Sequence, residues 1–184
     1  LSMPIEKYYN PLVRKLRSIP MPAVCAVNGV AAGAGANVAL ACDIVIAARS
    51  AKFIQAFAKL GLVPDSGGTW FLPRLVGGAR ARALAMLAEP VSAERAEAWG
   101  MIWKVVEDSD LMTEAHALAA SLATQPTDGL ALIKQALDAS ERNTLDAQLD
   151  LERDLQGRAG RSADYAEGVT AFLEKRSPRF VGRA

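Results

Sequence analysis

Two short apolar runs, each as long as one strand, flank a stretch of very small residues near the start of this chain. Ala23–Val27 and Asp43–Ala48 have the apolar character of buried strands. Between them, Gly33–Gly35 permits a tight turn and Ala36–Ala41 favours a helix. A strand, a small-residue turn, a short helix and a second strand, in this order, predict an α/β fold.

Helical patterns fill much of the remaining chain. The first is an amphipathic helix over Glu6–Ile19, which ends before Pro20. Downstream we predict strands at Lys52–Phe57 and Ile102–Val106, and helices from Asp65 to near Pro73, over Ala79–Leu87 and from a Ser92 cap to Trp99. Four helices follow without a further strand, at Leu111–Ala123, Gly129–Ala139, Leu145–Leu155 and Ala163–Leu173. The pattern therefore divides the chain into an α/β part over residues 1–107 and a helical part over residues 108–184.

Composition narrows the functional classes. The 184 residues are 51% hydrophobic, which suits one compact unit with a sizeable core. The net charge of +1 provides no broad field that would attract nucleic acid. We expect neither a membrane span nor a signal peptide. Because Cys25 and Cys42 lie in apolar segments without metal-binding spacing, we expect buried thiols in a cytoplasmic protein.

The scarcity of histidine argues against several kinds of chemistry. His116 is the single histidine, lies in a predicted helix among alanines and leucines, and is expected to be structural or at the surface. Serine or cysteine nucleophiles that need a neighbouring histidine are therefore not predicted, and neither is a metal site. Gly29, Gly33 and Gly35 form a GxxxGxG pattern, which matches neither the P-loop nor the dinucleotide-binding fingerprint.

Asp65 is a candidate acid/base. It lies between Pro64 and the pair Gly67-Gly68, behind mostly apolar residues. A carboxylate in an apolar pocket holds its proton more tightly than one in water, which suits general acid/base catalysis. An aspartate followed by serine and small residues is equally typical of a helix N-cap. Both interpretations stay open from the local sequence.

The glycine-rich turn around Ala34 also has two interpretations. Small residues let a ligand approach the backbone, and the N–H groups at a helix start face that ligand with the positive end of the dipole. Such a turn suits an oxyanion, for example the enolate of a thioester. Alternatively, the glycines serve close packing between a helix and a strand.

Three segments in a fixed order resemble the enoyl-CoA hydratase/isomerase (crotonase) superfamily. They are Ala26–Asn37, Cys42–Ile44 and Gly61–Gly68, and the resemblance continues through Ala98–Ile102 to Phe172–Pro178. It implies a crotonase-like β-β-α spiral core over residues 1–107, truncated at its N-terminus, and a helical trimerisation region over residues 108–184. It also implies a homotrimer or hexamer, an acyl-CoA thioester as substrate and no separate cofactor, because coenzyme A is part of the substrate.

The resemblance assigns roles by position. It implies that the backbone N–H of Ala34 is one oxyanion-hole donor and that Asp65 is the catalytic acid/base. The second donor would come from an upstream loop of Ala-Gly-x-Asp type, so we expect that this sequence lacks an N-terminal segment. Substrate contacts are implied for Val30, Ala32, Gly33, Asn37, Phe57, Pro64 and Lys175.

Departures from the hydratase pattern favour an isomerase. Hydratases of this family add water with two glutamates, and the aligned positions here are Asn37 and Phe57. The segments Phe57–Asp65, Gly160–Tyr165 and Tyr9–Val13 are most similar to members that rearrange ring-1,2-epoxyphenylacetyl-CoA to the oxepin thioester in phenylacetate degradation. The alternatives are a general 3,2-enoyl-CoA isomerase of fatty-acid breakdown and a catalytically silent partner subunit of an acyl-CoA pathway complex.

Apolar and basic residues near these positions have two possible roles. Lys175 and Arg176 would meet the phosphates of coenzyme A, or would belong to a solvated basic tail. Several apolar side chains would form a wall for the acyl group, or would simply be packed in the core. These apolar side chains are Phe57, Leu60, Leu62 and Trp70.

Overall fold

In the computed structural model, which describes residues 1–182, the chain forms two compact units. The first unit contains residues 1–18 and 23–117. The second contains residues 19–22 and the chain from residue 118 onward. Both sheets of the described chain lie in the first unit, which also contains the sequence motifs around Ala34 and Asp65.

Six short strands in residues 1–182 form two three-stranded sheets. The first sheet is parallel throughout, in the order β1 (Val24–Val27), β3 (Ile44–Ala48) and β6 (Lys104–Val106). The second has the order β2 (Val30–Ala32), β4 (Lys52–Ile54) and β5 (Val91–Ser92). In this second sheet β2 and β4 are parallel, whereas β4 and β5 are antiparallel.

The first four strands alternate between the two sheets, and this makes the chain a spiral. β1 and β2 belong to different sheets and are followed by helix α3 (Ala34–Leu40). β3 and β4 repeat the step one turn later and are followed by helix α4 (Gly68–Leu87). The parallel registers Val24↔Ile44 and Val30↔Lys52 join the two turns. The α/β fold with a β-β-α spiral core is thereby confirmed.

The core of the first unit is built from the strands and the inner faces of α3 and α4. Ile46 and Leu72 are each 2% exposed and are among the largest side chains that are almost completely buried. Burial of an aliphatic side chain of this size stabilises the fold by about 1.5–3 kcal/mol. Further buried apolar side chains are Val27, Leu40, Val45, Phe53, Leu84 and Ile102.

The first helical stretch is longer than the sequence predicts. It consists of α1 (Ser2–Pro4), a π-helical turn (Ile5–Tyr9) and α2 (Asn10–Ser18). The predicted helix over Glu6–Ile19 is confirmed, with an earlier start and a π turn that side-chain periodicity does not reveal.

The helix predicted from Asp65 to Pro73 is wrong at both ends. Ser66 has φ +50° and Gly67 has φ +84°, and two residues in this left-handed region cannot extend a right-handed helix. α4 therefore begins at Gly68, passes through Pro73, and leaves helical geometry at Gly77, where φ is +78° and ψ is +161°.

Very short elements also escaped the sequence patterns. β2 has three residues and β5 has two, which is too short for a periodic signal. The predicted strand Lys52–Phe57 ends at Ile54, and a 3₁₀ helix over Ala56–Leu60 follows. The cap at Ser92 is confirmed, because its hydroxyl accepts a hydrogen bond from the backbone N–H of Arg95 at the start of α5 (Ala93–Ala98).

The remaining helices follow the predicted ones closely. They are α6 (Leu111–Ala123), α7 (Thr127–Ser140), α8 (Leu145–Ala159) and α9 (Ala163–Glu174), and a 3₁₀ turn (Asp108–Asp110) precedes them. His116 is exposed on α6, as expected. Periodicity succeeds here because each helix spans three or more turns with an apolar side.

A tail after α9 folds back onto that helix within the second unit. The carboxylate of Asp164, which is 4% exposed, accepts hydrogen bonds from the backbone N–H groups of Val181 and Gly182 at 2.7 and 3.0 Å. Glu167 accepts both Nη groups of Arg176, at 2.6 and 2.9 Å. Two carboxylates on one helix therefore fasten the chain that leaves it.

Candidate active site

Asp65 lies in the turn between the 3₁₀ helix Ala56–Leu60 and α4. Its main-chain carbonyl accepts two hydrogen bonds, from the backbone N–H of Gly68 at 2.9 Å and from Nδ2 of Asn37 at 2.8 Å. Its carboxylate Oδ1 accepts a hydrogen bond from the hydroxyl of Ser66 at 3.0 Å. Asp65 itself is half-buried, and its main chain is held by the hydrogen bonds from Gly68 and Asn37.

The structure contradicts the helix-cap interpretation of Asp65. The N-cap of α4 is Gly67, and no side chain caps this helix. Gly68 N–H does bond to Asp65, but it bonds to the main-chain carbonyl rather than to the carboxylate. The carboxylate is therefore not engaged in capping and remains available for other chemistry.

Asn37 connects the glycine-rich turn to the acidic turn. It lies in α3, which begins at Ala34, and its side chain is completely buried. Its Oδ1 accepts a hydrogen bond from Nε2 of Gln55 at 2.8 Å, while its Nδ2 donates to Asp65. The buried side chain of Asn37 therefore links α3 to the acidic turn through a hydrogen bond to Asp65.

The glycine-rich turn has an unusual backbone at Gly33. This residue has φ +55° and ψ −126°, and its N–H donates to the carbonyl of Ile54 at 2.8 Å. Ala34 is the first residue of α3, so its N–H has no carbonyl partner within the helix. The ring of Phe57, which is 8% exposed, approaches within 3.6 Å of the point that a Cβ on Gly33 would occupy.

The remaining predicted contacts of this region lie on β2. Val30 is 67% exposed, and Ala32 is exposed at the end of the strand, one residue before Gly33. Their parallel register places Val30 opposite Lys52 and Ala32 opposite Ile54. The structure therefore brings β2, the glycine-rich turn, Phe57 and the acidic turn into one continuous region of the first unit.

An apolar pocket of about 470 Å³ opens beside the acidic turn. Pro64, directly before Asp65, and Gly68, three residues after it, both line the pocket. The other lining residues include Leu62, Val63, Thr69, Leu72, Ala81, Arg82 and Met86. An acyl chain or a small ring would match this volume and this surface.

The expected apolar wall is partly present. Leu62 lines the pocket, whereas Phe57, Leu60 and Trp70 are not among its lining residues. Leu60 is 74% exposed. Trp70 instead packs edge to face on Phe71, with 5.0 Å between ring centroids, under the guanidinium of Arg74.

Lys175 belongs to the second unit, where it follows the last residue of α9. It is exposed and has φ +53°, a left-handed conformation that ends the helix. Arg176 beside it is not free, because Glu167 and Glu174 both accept hydrogen bonds from its guanidinium. Both residues are exposed, and the charge of Arg176 is balanced by these two carboxylates.

The two cysteines lie close together without a disulfide between them. Neither Cys25 nor Cys42 forms a disulfide, and both are half-buried, whereas the sequence predicted buried thiols. A hydrogen bond with the Cys42 thiol, together with burial, raises the pKa of Cys25 well above its ordinary value. The Cys25 thiol is therefore a poor nucleophile.

Residues 1–182 offer neither a cluster of metal ligands nor a helix that could span a membrane. Nowhere in this part of the chain do three or more histidine, cysteine, aspartate or glutamate side chains cluster so that they could hold a metal ion. Nor does this part contain a helix of sufficient length and apolar character to cross a membrane.

Two polar residues of this region were missed by the sequence analysis. Ser66 is 2% exposed and bonds to the Asp65 carboxylate, and Gln55 is 4% exposed and bonds to Asn37. Gln55 could have been found from the sequence, because it directly follows the apolar pair Phe53-Ile54 of a predicted strand. A polar side chain in such a buried strand is expected to need a hydrogen-bond partner. Ser66 carried none, because its conformation is visible only in three dimensions.

Two interleaved sheets with β-β-α turns, a glycine-rich turn at the first helix of the spiral and an acidic turn at the second define a crotonase-like protein. The enoyl-CoA hydratase/isomerase family profile matches residues 3–183. The chain belongs to this family.

Named relatives and a solved structure agree with this assignment. The 1,2-epoxyphenylacetyl-CoA isomerase of Escherichia coli K12 is 66% identical over 183 residues, which are 100% of this chain and 70% of the relative. A probable enoyl-CoA hydratase of Rhodobacter capsulatus is 54% identical and matches 97% of this chain and 70% of its own length. The crystal structure of an enoyl-CoA hydratase from Polaromonas sp. JS666 superposes with a TM-score of 0.93 at 39% identity, covering 97% of this chain and 69% of that one.

Proposed function

We propose that this chain is an acyl-CoA isomerase that rearranges ring-1,2-epoxyphenylacetyl-CoA to the oxepin thioester, with Asp65 as the acid/base. One observation carries the proposal. The backbone of Asp65 is fixed by Asn37 and Gly68, and the turn that carries it borders an apolar pocket through Pro64 and Gly68. The 66% identity to the Escherichia coli isomerase, over the whole of this chain, supports the choice of substrate.

Catalysis begins with the thioester carbonyl. The N–H of Ala34 donates to the carbonyl oxygen as one of two oxyanion-hole donors. As a proton leaves the neighbouring carbon, negative charge develops on this oxygen, and a donor of this kind stabilises the enolate by about 3–4 kcal/mol. Gly33 and Ala32 are small, so the thioester can approach the backbone closely.

Asp65 then moves the proton. Its carboxylate takes a proton from the carbon next to the thioester, and the bond between the two epoxide carbons breaks as the ring expands to seven members. Asp65 returns the proton to a ring carbon, so no atom is gained or lost. A linear 3-enoyl-CoA would shift its double bond through the same enolate.

Substitutions at the hydratase positions support isomerisation rather than hydration. Addition of water by two carboxylates requires a carboxylate at both positions. Here the side chain of Asn37 makes internal hydrogen bonds, and Phe57 is apolar. Asp65 is therefore the acid that we assign to the reaction. The Rhodobacter capsulatus relative is named a probable enoyl-CoA hydratase. In this chain, however, Asn37 and Phe57 lack the carboxylates that addition of water requires.

The other contacts follow from position. The acyl ring would occupy the pocket beside Pro64, with Val30 and Phe57 near the glycine-rich turn, and Lys175 would meet a phosphate of coenzyme A. We further propose a homotrimer or hexamer in the cytoplasm. Exposed apolar side chains in the second unit support an assembly, for example Phe172 at 83% and Leu173 at 73% exposure, and sedimentation equilibrium measures its size.

Turnover of two substrates tests the proposal. The wild-type protein, Asp65→Asn and the control Asp110→Asn are assayed with the epoxide thioester and with a 3-enoyl-CoA. Asp110 is a suitable control, because it is exposed and also accepts a hydrogen bond from an adjacent serine, Ser109, at 3.0 Å. We expect Asp65→Asn to lose about 10²–10⁴-fold in kcat on the epoxide, while Asp110→Asn keeps wild-type turnover.

Other outcomes would contradict part of the proposal or favour one of the alternative functions. Undiminished activity of Asp65→Asn would exclude Asp65 as the acid/base. Wild-type activity on the linear substrate alone would indicate a general enoyl-CoA isomerase. Binding of both thioesters without turnover of either would indicate a catalytically silent subunit.

A further inference from the structure

Ser66 holds a backbone conformation that its side chain disfavours. Its φ is +50°, a value that costs a non-glycine residue about 1–2 kcal/mol. The other non-glycine residues with positive φ in the described chain, Ala88 and Lys175, each end a helix. Ser66 ends none, so helix termination does not account for its conformation.

The side chain of Ser66 is used entirely inside the turn. It is 2% exposed, and its hydroxyl donates to Oδ1 of Asp65 at 3.0 Å. A serine hydroxyl has a single hydrogen to donate, and here it goes to a carboxylate oxygen. A hydrogen bond to a charged group is among the stronger kinds in proteins. Strained backbone that persists in a buried turn commonly marks a functional constraint.

We propose that Ser66 is a positioning residue for the carboxylate of Asp65. By engaging Oδ1, its hydroxyl fixes the rotation of the carboxylate and leaves Oδ2 to take the substrate proton and return it. Ser66 touches neither the substrate nor the reacting atoms. This inference rests on the proposed function, because it assigns Ser66 a task that depends on Asp65 as the acid/base.

Two substitutions separate the hydroxyl from the backbone. Ser66→Ala removes the hydroxyl but keeps a Cβ in the left-handed conformation, whereas Ser66→Gly removes both the hydroxyl and the strain. We expect both variants to lose about 10- to 100-fold in kcat with KM within about twofold of wild type, which is the loss of one hydrogen bond to a charged group. Ser109→Ala removes the matching exposed serine-to-aspartate hydrogen bond and keeps wild-type kcat.

Stability measurements show whether the loss is merely structural. Ser66→Gly is expected to unfold at the same or a higher urea concentration than wild type, because it relieves the strain. A loss of kcat in this variant therefore cannot come from misfolding. Wild-type kcat in Ser66→Gly would overturn the inference, since only the hydroxyl and the strain are then missing.

A double-mutant cycle distinguishes this inference from the proposed function. Because Ser66 acts through Asp65, Ser66→Ala should lower kcat in the wild-type background and have no further effect in the Asp65→Asn background. If Asp65→Asn is fully active, the proposed function fails. If Asp65→Asn is inactive and both Ser66 variants are fully active, the role of Ser66 alone fails.

Discussion

Nδ2 of Asn37 donates a hydrogen bond to the main-chain carbonyl of Asp65 across 2.8 Å. This single contact joins the helix that begins at Ala34 to the turn that carries the acid. The proposed oxyanion donor and the proposed acid/base are thereby held in a fixed relation, although they are far apart in sequence. A misplacement of about 1 Å between such groups can cost about 10²-fold in rate.

The first prediction concerns Asn37→Ala. This change leaves the buried amide of Gln55 without the partner of its Nε2, at a cost of about 1–3 kcal/mol. The carbonyl of Asp65 then keeps only the hydrogen bond from the N–H of Gly68. We expect a lower urea midpoint and a lower kcat. Asn143→Ala removes an exposed amide that donates to Gln148 at 3.0 Å, and it should leave both quantities unchanged. An unaltered midpoint in Asn37→Ala would contradict the role of Asn37 as a link between α3 and the acidic turn.

The second prediction concerns two glycines near this contact. A Cβ on Gly68 would lie 2.3 Å from Nδ2 of Asn37, whereas a Cβ on Gly35 would meet no atom within 4 Å. Gly68→Ala must therefore displace Asn37, and we expect a loss of about 1–3 kcal/mol in the free energy of unfolding. Gly35→Ala lies in α3 and should gain about 0.5–1 kcal/mol. Equal stabilities of the two variants, measured by urea denaturation, would refute this steric account.

The third prediction concerns acid stability. Hydrogen bonds from Arg176 and from the backbone of Arg179 lower the pKa of Glu167 from 4.5 to about 2. Its folded pKa lies below its unfolded pKa, so its contribution to stability is complete above pH 4.5 and is lost as the pH falls toward 2.

Glu167→Gln should flatten the dependence of the thermal midpoint on pH within that window. Arg176→Gln should do the same, because it removes the partner. Arg158→Gln changes an exposed arginine of α8 and should keep the wild-type slope. A wild-type slope in Glu167→Gln would show that this ion pair does not contribute to acid stability.

The fourth prediction separates the charge of Lys175 from its conformation. Lys175→Gly relieves a left-handed backbone and should raise the free energy of unfolding by about 1 kcal/mol, whereas Lys175→Ala should not. If Lys175 meets a coenzyme A phosphate, both variants should raise KM for the thioester and leave kcat unchanged. Unchanged KM in both variants would remove Lys175 from the substrate site.

Local patterns predicted strands β1 and β3 and the C-terminal helices well, because these elements carry strong local signals, whereas the spiral core was implied by the resemblance to the family. Val24–Val27 and Ile44–Ala48 are apolar throughout, and the four C-terminal helices show clear periodicity. The resemblance to the family then supplied the order of the elements. Local pattern was sufficient wherever an element spans several residues of one character.

The failure at the acidic turn has a clear physical cause. A left-handed serine at position 66 and the glycine at position 67 delay the helix until Gly68, and no residue type announces such a conformation. The hydrogen bonds of Asn37 to Gln55 and Asp65 could not be predicted either, because they depend on partners that only folding brings near.

The order of strands β1, β3 and β6 has a consequence for synthesis of the protein. β3 is the central strand, with β1 on one side and β6 on the other, and β6 is translated long after the other two. Until residues 104–106 leave the ribosome, one edge of β3 displays unpaired N–H and C=O groups beside apolar side chains. During this period the open edge of β3 can pair with a strand of another chain. The nascent chain should therefore need chaperones most before β6 has been synthesised.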